Sequence, residues 1–126
     1  MTALVKGPTE GDLLKFDLEK NYTREAVTLL AGTAYPLGAV LGRITASGKF
    51  AMSTATGSNG AQTAAGVLLA PVDATEGDAT GVVIARGPAI VSDAELQFDA
   101  SVDDAPKRAA KIAQLEALGI VARAAA

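Results

Sequence analysis

One segment, residues 62–91, constrains the fold of this 126-residue chain more than any other. It holds three short apolar runs, at 64–72, 81–85 and 88–91, and a polar acidic connector at 73–80. Runs this short, rich in Val, Ile and Leu and bounded by Gly, Pro and Asp, indicate buried strands rather than helices. The segment therefore predicts the central sheet of a β-rich protein. It contains no cluster of residues that is typical of catalysis.

Further strands are predicted before this segment, at residues 26–30, 40–45 and 49–51. Gly38 and Gly42 punctuate this region, which indicates tight turns or close packing of the backbone. Residues 53–61 are dense in Gly, Ser, Thr and Asn, a composition typical of an exposed loop.

The pattern changes to a helix near the C-terminus. Asp103 is the predicted N-cap, Pro106 falls in the first turn, and Gly119 suits the left-handed position after the last turn. The apolar face is predicted at Ala109, Ile112, Leu115 and Leu118. The predicted fold class is therefore mainly β, barrel-like or sandwich-like, with one short C-terminal α-helix and a last short strand at 120–121.

Residues 1–20 differ in character from the rest of the chain. Loop residues come first, and then a weak alternation of apolar and charged side chains follows from Leu13 to Glu19. One interpretation is a terminal arm followed by an edge strand. The other is an extended N-terminal arm over residues 1–20, attached to a single β-rich domain over residues 21–126, that packs on a partner and adds a strand to it. The candidate partner-binding residues of this arm are Leu4, Val5, Leu13, Leu14 and Phe16.

Composition excludes several classes of function. The chain has neither Cys nor His, which removes disulfides, zinc fingers, thiol nucleophiles and Ser-His or Cys-His catalysis. The net charge is −3 and the basic residues are scattered, so we expect no nucleic-acid partner. No apolar run approaches the roughly 20 residues of a membrane helix, and no signal peptide is recognisable. We expect no membrane partner.

The apolar content also favours assembly. Apolar residues make up 49% of the chain, but 27 of them are alanines, which bury little area each. Because a monomer of this composition has a thin core, burial against identical neighbours would stabilise it.

Parts of the sequence are compatible with two other functions. A small β-barrel ligand- or carbohydrate-binding module is suggested by the turns at Gly38 and Gly42, and a lipoyl-like domain would display Lys49. Aromatic residues for stacking sugars are nearly absent, however. A hydrolase would have to use Asp73, Glu76 and Asp78, but these acids fall on a Gly-containing turn, where solvated side chains are expected.

An ordered series of segments resembles a known family. The series runs through NYTREAVTL at 21–29, GAVLG at 38–42, QTAAGVLL at 62–69, Arg86-Gly87 and the Ala-rich helix that ends in ALGIV at 117–121. Over residues 21–121 the chain is similar to the lambda-type head decoration proteins of tailed bacteriophages.

This resemblance implies a structural virion protein and not an enzyme, with no cofactor, no metal and no small-molecule substrate. It implies a homotrimer, made in the host cytoplasm, on the outer surface of the expanded capsid. There it would bind the major capsid protein at three-fold and quasi-three-fold sites and stabilise the shell against the pressure of packaged DNA. The N-terminal arm would contact the shell or a neighbouring subunit.

Overall fold

The computed structural model describes residues 9–124 of the chain. The helices are α1 (Glu10–Leu13), α2 (Lys20–Thr23) and α3 (Ala105–Ala117), and Asp93–Glu95 forms a 3-10 turn. The strands are β1 (Leu14–Asp17), β2 (Arg24–Leu29), β3 (Ala34–Tyr35), β4 (Val40–Arg43), β5 (Phe50–Met52), β6 (Ala64–Leu68), β7 (Val72–Asp73), β8 (Ala79–Ile84), β9 (Ala89–Ser92) and β10 (Ile120–Arg123). The predicted class, mainly β with a short C-terminal helix, is confirmed.

Five strands close into a small barrel in the order β2-β5-β4-β6-β8. The pairs are antiparallel except for β2 and β5, which meet in parallel where Leu29 lies opposite Phe50. Apolar side chains fill the interior, as expected for so narrow a barrel. They include Leu29, Leu41, Phe50, Leu68 and Val83.

A second core lies outside the barrel. It is covered by α3 and by a three-stranded sheet in the order β1-β9-β10, in which β9 is antiparallel to β1 and parallel to β10. Strand β6 serves both cores, because Leu68 points into the barrel and Val67 packs against the second core. Burial on both faces explains why residues 64–69 read as an unbroken apolar run.

The predicted glycine turns are confirmed. Gly38 has a positive φ of 83°, a conformation that favours glycine. A Cβ on Gly42 would lie 2.1 Å from the carbonyl oxygen of Ala61, so the strand β4 and the loop before β6 approach too closely for any side chain.

The start of α3 is one residue later than predicted. Asp104 is the N-cap, and its carboxylate accepts a hydrogen bond from the Lys107 amide at 2.9 Å. The prediction of Asp103 as the cap is wrong, because Asp103 lies one position too early and instead pairs with the Lys107 ammonium at 2.9 Å. At the other end Gly119 is left-handed with a φ of 87° and donates to the Glu116 carbonyl, as predicted.

The predicted buried face of α3 is confirmed at Ile112, Leu115 and Leu118, which pack in or against the second core, but it is wrong at Ala109. Ala109 is exposed, whereas Lys111 is 2% exposed and lies on the same side as Leu115. The Lys111 ammonium donates to the carbonyls of Thr54, at 2.7 Å, and of Gln62. Burial lowers the pKa of Lys111. This lysine therefore ties α3 to both ends of the loop between β5 and β6.

Candidate protein-interaction surface

The five predicted partner-binding residues have different positions in the structure. Leu4 and Val5 lie outside the described residues. Leu13 is fully buried in the second core, and Leu14 packs against the same core. Phe16 is 45% exposed. Of these three, only Phe16 therefore presents a large part of its side chain to a partner.

Residues 10–17 form regular structure, a short helix followed by a strand. Thr9 donates its backbone N–H to the Asp12 carboxylate at 2.8 Å, which stabilises the turn of α1. Strand β1 then pairs with β9, with Leu14 opposite Val91. Because β1 is the outer strand of its sheet, this matches the edge-strand interpretation of the alternating pattern.

A cluster of charges fixes the N-terminal segment on the barrel. The Arg24 guanidinium contacts the carboxylates of Asp17, at 3.1 Å, and of Glu10, at 3.3 Å. The Thr23 hydroxyl donates to the same Asp17 carboxylate at 2.8 Å. The side chains of Arg24 and Asp17 are only 18% and 9% exposed, so this pair is shielded from water. The cluster holds α1 and β1 against the start of β2.

The acid stability of the protein is expected to depend on Asp17. Burial alone would raise the pKa of Asp17, but the hydrogen bonds from Arg24 and Thr23 together with the charge of Arg24 lower it below its ordinary value of 3.8. A lowered pKa contributes stability that is present above the unfolded value and is lost as the pH falls through the folded value. Replacement of Asp17 by Asn should cost about 1–3 kcal/mol near neutral pH, because Arg24 then loses the more buried of its two carboxylate partners.

This difference should shrink when the pH falls below 3.8. Urea denaturation of the wild type and of Asp17→Asn across that range measures it. A gap between the two proteins that is constant down to full protonation would contradict a stabilising role for the ionised carboxylate.

Three large apolar side chains on this segment are exposed: Phe16, Leu18 at 66% and Tyr22 at 59%. The Arg86 guanidinium lies over the Tyr22 ring, 5.3 Å from its centroid, and also binds the Tyr22 carbonyl and Glu25. Tyr and Arg are enriched among the residues that dominate binding energies at protein interfaces. We call Phe16, Leu18 and Tyr22 the N-terminal surface. Sequence reasoning missed Tyr22, whereas Leu18 was visible in the alternating pattern.

Two of the three acids that a hydrolase would need, Asp73 and Asp78, have structural roles, and the third, Glu76, is exposed on the turn. Asp73 accepts from the amide and the hydroxyl of Thr75, at 3.0 and 2.7 Å. Asp78 pairs with Lys49 at 2.6 Å and accepts from the Ala31 amide at 2.8 Å. The hydrogen bond from Lys49 lowers the pKa of Asp78, which favours a permanently ionised group over a proton donor. Within residues 9–124 no group of three acidic side chains is arranged to hold a metal ion.

The ligand-binding alternative has little support in the same residues. Lys49 is engaged by Asp78 and is not a free lysine at a hairpin tip. A cleft of about 500 Å³ lies between the 3-10 turn and the start of α3, lined by Asp93, Leu96, Phe98 and Arg108 among others. Phe98 is its one aromatic residue, so the cleft offers no stacked platform for a sugar ring. No helix of the described part of the chain is long and apolar enough to cross a membrane.

The exposed apolar side chains of this small β-barrel favour a protein that acts by binding other proteins. The family model of the bacteriophage lambda head decoration protein D matches residues 3–120. The chain therefore belongs to this family of phage head decoration proteins. A search of curated proteins found no match. Family membership supports a structural role in decorating the phage capsid, and with it binding to the capsid and a location on the virion.

Proposed function

We propose that the protein binds as a homotrimer to the outer surface of the expanded capsid, at three-fold and quasi-three-fold positions. There it contacts the major capsid protein and stabilises the shell against the pressure of packaged DNA. The family match over residues 3–120 carries this proposal, because it includes Leu4 and Val5 as well as the barrel. The family is a structural one, which favours a function without catalysis.

The N-terminal segment has two parts in this proposal. Residues 1–8 act as the arm, in which Leu4 and Val5 contact the shell. Phe16 contacts the shell or a neighbouring subunit, while the buried Leu13 and the partly buried Leu14 hold the base of the arm in the second core. Three arms on one trimer bind together, so a modest affinity of each arm gives strong attachment of the whole.

Light scattering on the purified protein, together with binding to empty capsids before and after expansion, tests the proposal. We expect a trimer, saturable binding to expanded shells, and a higher temperature of shell disruption once the protein is bound. Unexpanded shells are the matched control and should bind much less. A protein that leaves the binding and disruption temperature of expanded shells unchanged would refute the proposed role.

A further inference from the structure

The loop between β5 and β6 contains the one Asn-Gly pair of the sequence, Asn59-Gly60. An asparagine followed by glycine is especially prone to spontaneous deamidation, because glycine has no side chain to keep its backbone nitrogen away from the asparagine amide. Asn59 is exposed to water, which is a reactant in this chemistry. The loop therefore holds a candidate site of chemical modification.

The reaction would proceed in two steps. The N–H of Gly60 gives its proton to hydroxide, and its nitrogen attacks the Cγ atom of Asn59. The bond from Cγ to the side-chain nitrogen breaks, and that nitrogen leaves as ammonia with a proton from water. Water then opens the resulting succinimide ring to give aspartate or isoaspartate. Either product places a carboxylate in a segment, residues 53–63, that has no charged residue.

The fold needs the glycine of this pair. Gly60 has a positive φ of 106°, a conformation that favours glycine. A Cβ atom at this position would also lie 2.6 Å from the carbonyl oxygen of Arg43, at the end of β4. Because the loop packs this closely on the barrel, a larger residue cannot stand at position 60 to block the attack. Any protection of Asn59 must come from the contacts around it.

Three hydrogen bonds fix the groups that would close the ring. The peptide group between Asn59 and Gly60 is held at both ends. Its carbonyl accepts from the Thr45 amide at 2.9 Å, and its N–H donates to Oε1 of Gln62 at 2.8 Å. The side-chain carbonyl of Asn59 accepts from the Ala61 amide at 3.0 Å. Ring closure requires the peptide group and the side chain to turn toward each other, so these bonds oppose it.

Gln62 acts most directly on the attacking nitrogen. Its Oε1 atom occupies the N–H of Gly60, but a neutral amide does not take the proton away as a base would. The backbone of Gln62 is itself fixed, because its carbonyl accepts from the buried ammonium of Lys111. The acceptor therefore stays in place as long as the loop remains folded against α3.

We infer that Asn59 is a deamidation site of this protein, and that Gln62 is a positioning residue that protects it while the loop is folded. Opening of the loop, rather than the exposure of Asn59 to water, then sets the rate at which the new carboxylate appears. The inference concerns a single chain and is independent of the proposed function.

Peptide mapping by mass spectrometry during incubation at mildly alkaline pH measures the conversion of Asn59 to aspartate and isoaspartate. Gln62→Ala should raise the rate in the folded protein about 2- to 10-fold, the factor that corresponds to the loss of one hydrogen bond. Gln97→Ala removes an exposed glutamine outside the loop and is the matched control, which should react at the wild-type rate. In urea, the wild type and Gln62→Ala should react at the same, higher rate.

Circular dichroism establishes that both variants are folded, and the comparison of folded with unfolded wild type needs no variant. An unfolded wild type in which Asn59 is not converted overturns the assignment of the site. A folded wild type that reacts as fast as the unfolded chain overturns the protection by the loop. If folded Gln62→Ala reacts at the wild-type rate, Gln62 is not the protecting residue.

Discussion

Replacement of Leu13 by Ala should lower the free energy of unfolding by about 2–5 kcal/mol, the range for removing a fully buried leucine side chain from a core. Leu13 is 0% exposed and packs in the second core, which it shares with residues of β9, α3 and β10. Part of the loss comes from the transfer of the side chain to water, and the rest comes from the cavity that it leaves. Urea denaturation measures the change.

Lys15→Ala is the matched control for this prediction. Lys15 is two residues further along the same segment, but its side chain is exposed and donates a hydrogen bond to the Gly11 carbonyl, at 3.2 Å. Its replacement should change the stability by less than about 0.5 kcal/mol. If Leu13→Ala were as mild as Lys15→Ala, the segment would not be part of the core in solution.

Several strands of the central segment could be predicted from local signals. Apolar runs bounded by Gly, Pro and Asp predicted β6, β8 and β9, and the structure confirms them. Because both faces of β6 are buried, its sequence is a continuous apolar run, which is easy to recognise. The closure of the barrel could not be predicted from a local pattern. It depends on pairing between strands that are not neighbours in the sequence, such as that of Leu29 with Phe50.

Lys111 shows why the buried face of α3 was predicted only in part. A lysine normally indicates a solvated position. Here its ammonium reaches carbonyl groups 57 and 49 residues away along the chain, at Thr54 and Gln62. Only the folded loop between β5 and β6 creates these acceptors, so no helical periodicity could have placed the lysine inside.

The interaction surface was predicted only in part for the same reason. Alternation in residues 13–19 indicated a strand, but it did not identify β9 as the partner that buries Leu13. The Tyr22 ring is covered by the guanidinium of Arg86, which is 64 residues away in the sequence. Pairings across such distances follow from the topology, which the sequence encodes only indirectly.

Deletion of residues 1–8 should leave a folded trimer that no longer decorates capsids. The deletion ends before α1, so Leu13, β1 and the contacts of Arg24 with Asp17 and Glu10 remain. Deletion of residues 1–20 would instead remove a core leucine and an entire strand, and the loss of binding could then reflect unfolding. The shorter deletion separates attachment from stability.

On the proposed homotrimer three arms would bind together, so the loss of affinity should be large. Linked binding sites gain about 10²- to 10⁴-fold in avidity over a single site, and removal of the arms forfeits that gain. Cosedimentation with expanded shells measures the binding, and light scattering verifies the trimer. Replacement of both Leu4 and Val5 by Ser keeps the length of the arm and should reproduce most of the loss, if apolar contacts hold the arm on the shell. A protein without residues 1–8 that still decorates expanded shells at full occupancy would move the site of attachment from the arm to the barrel.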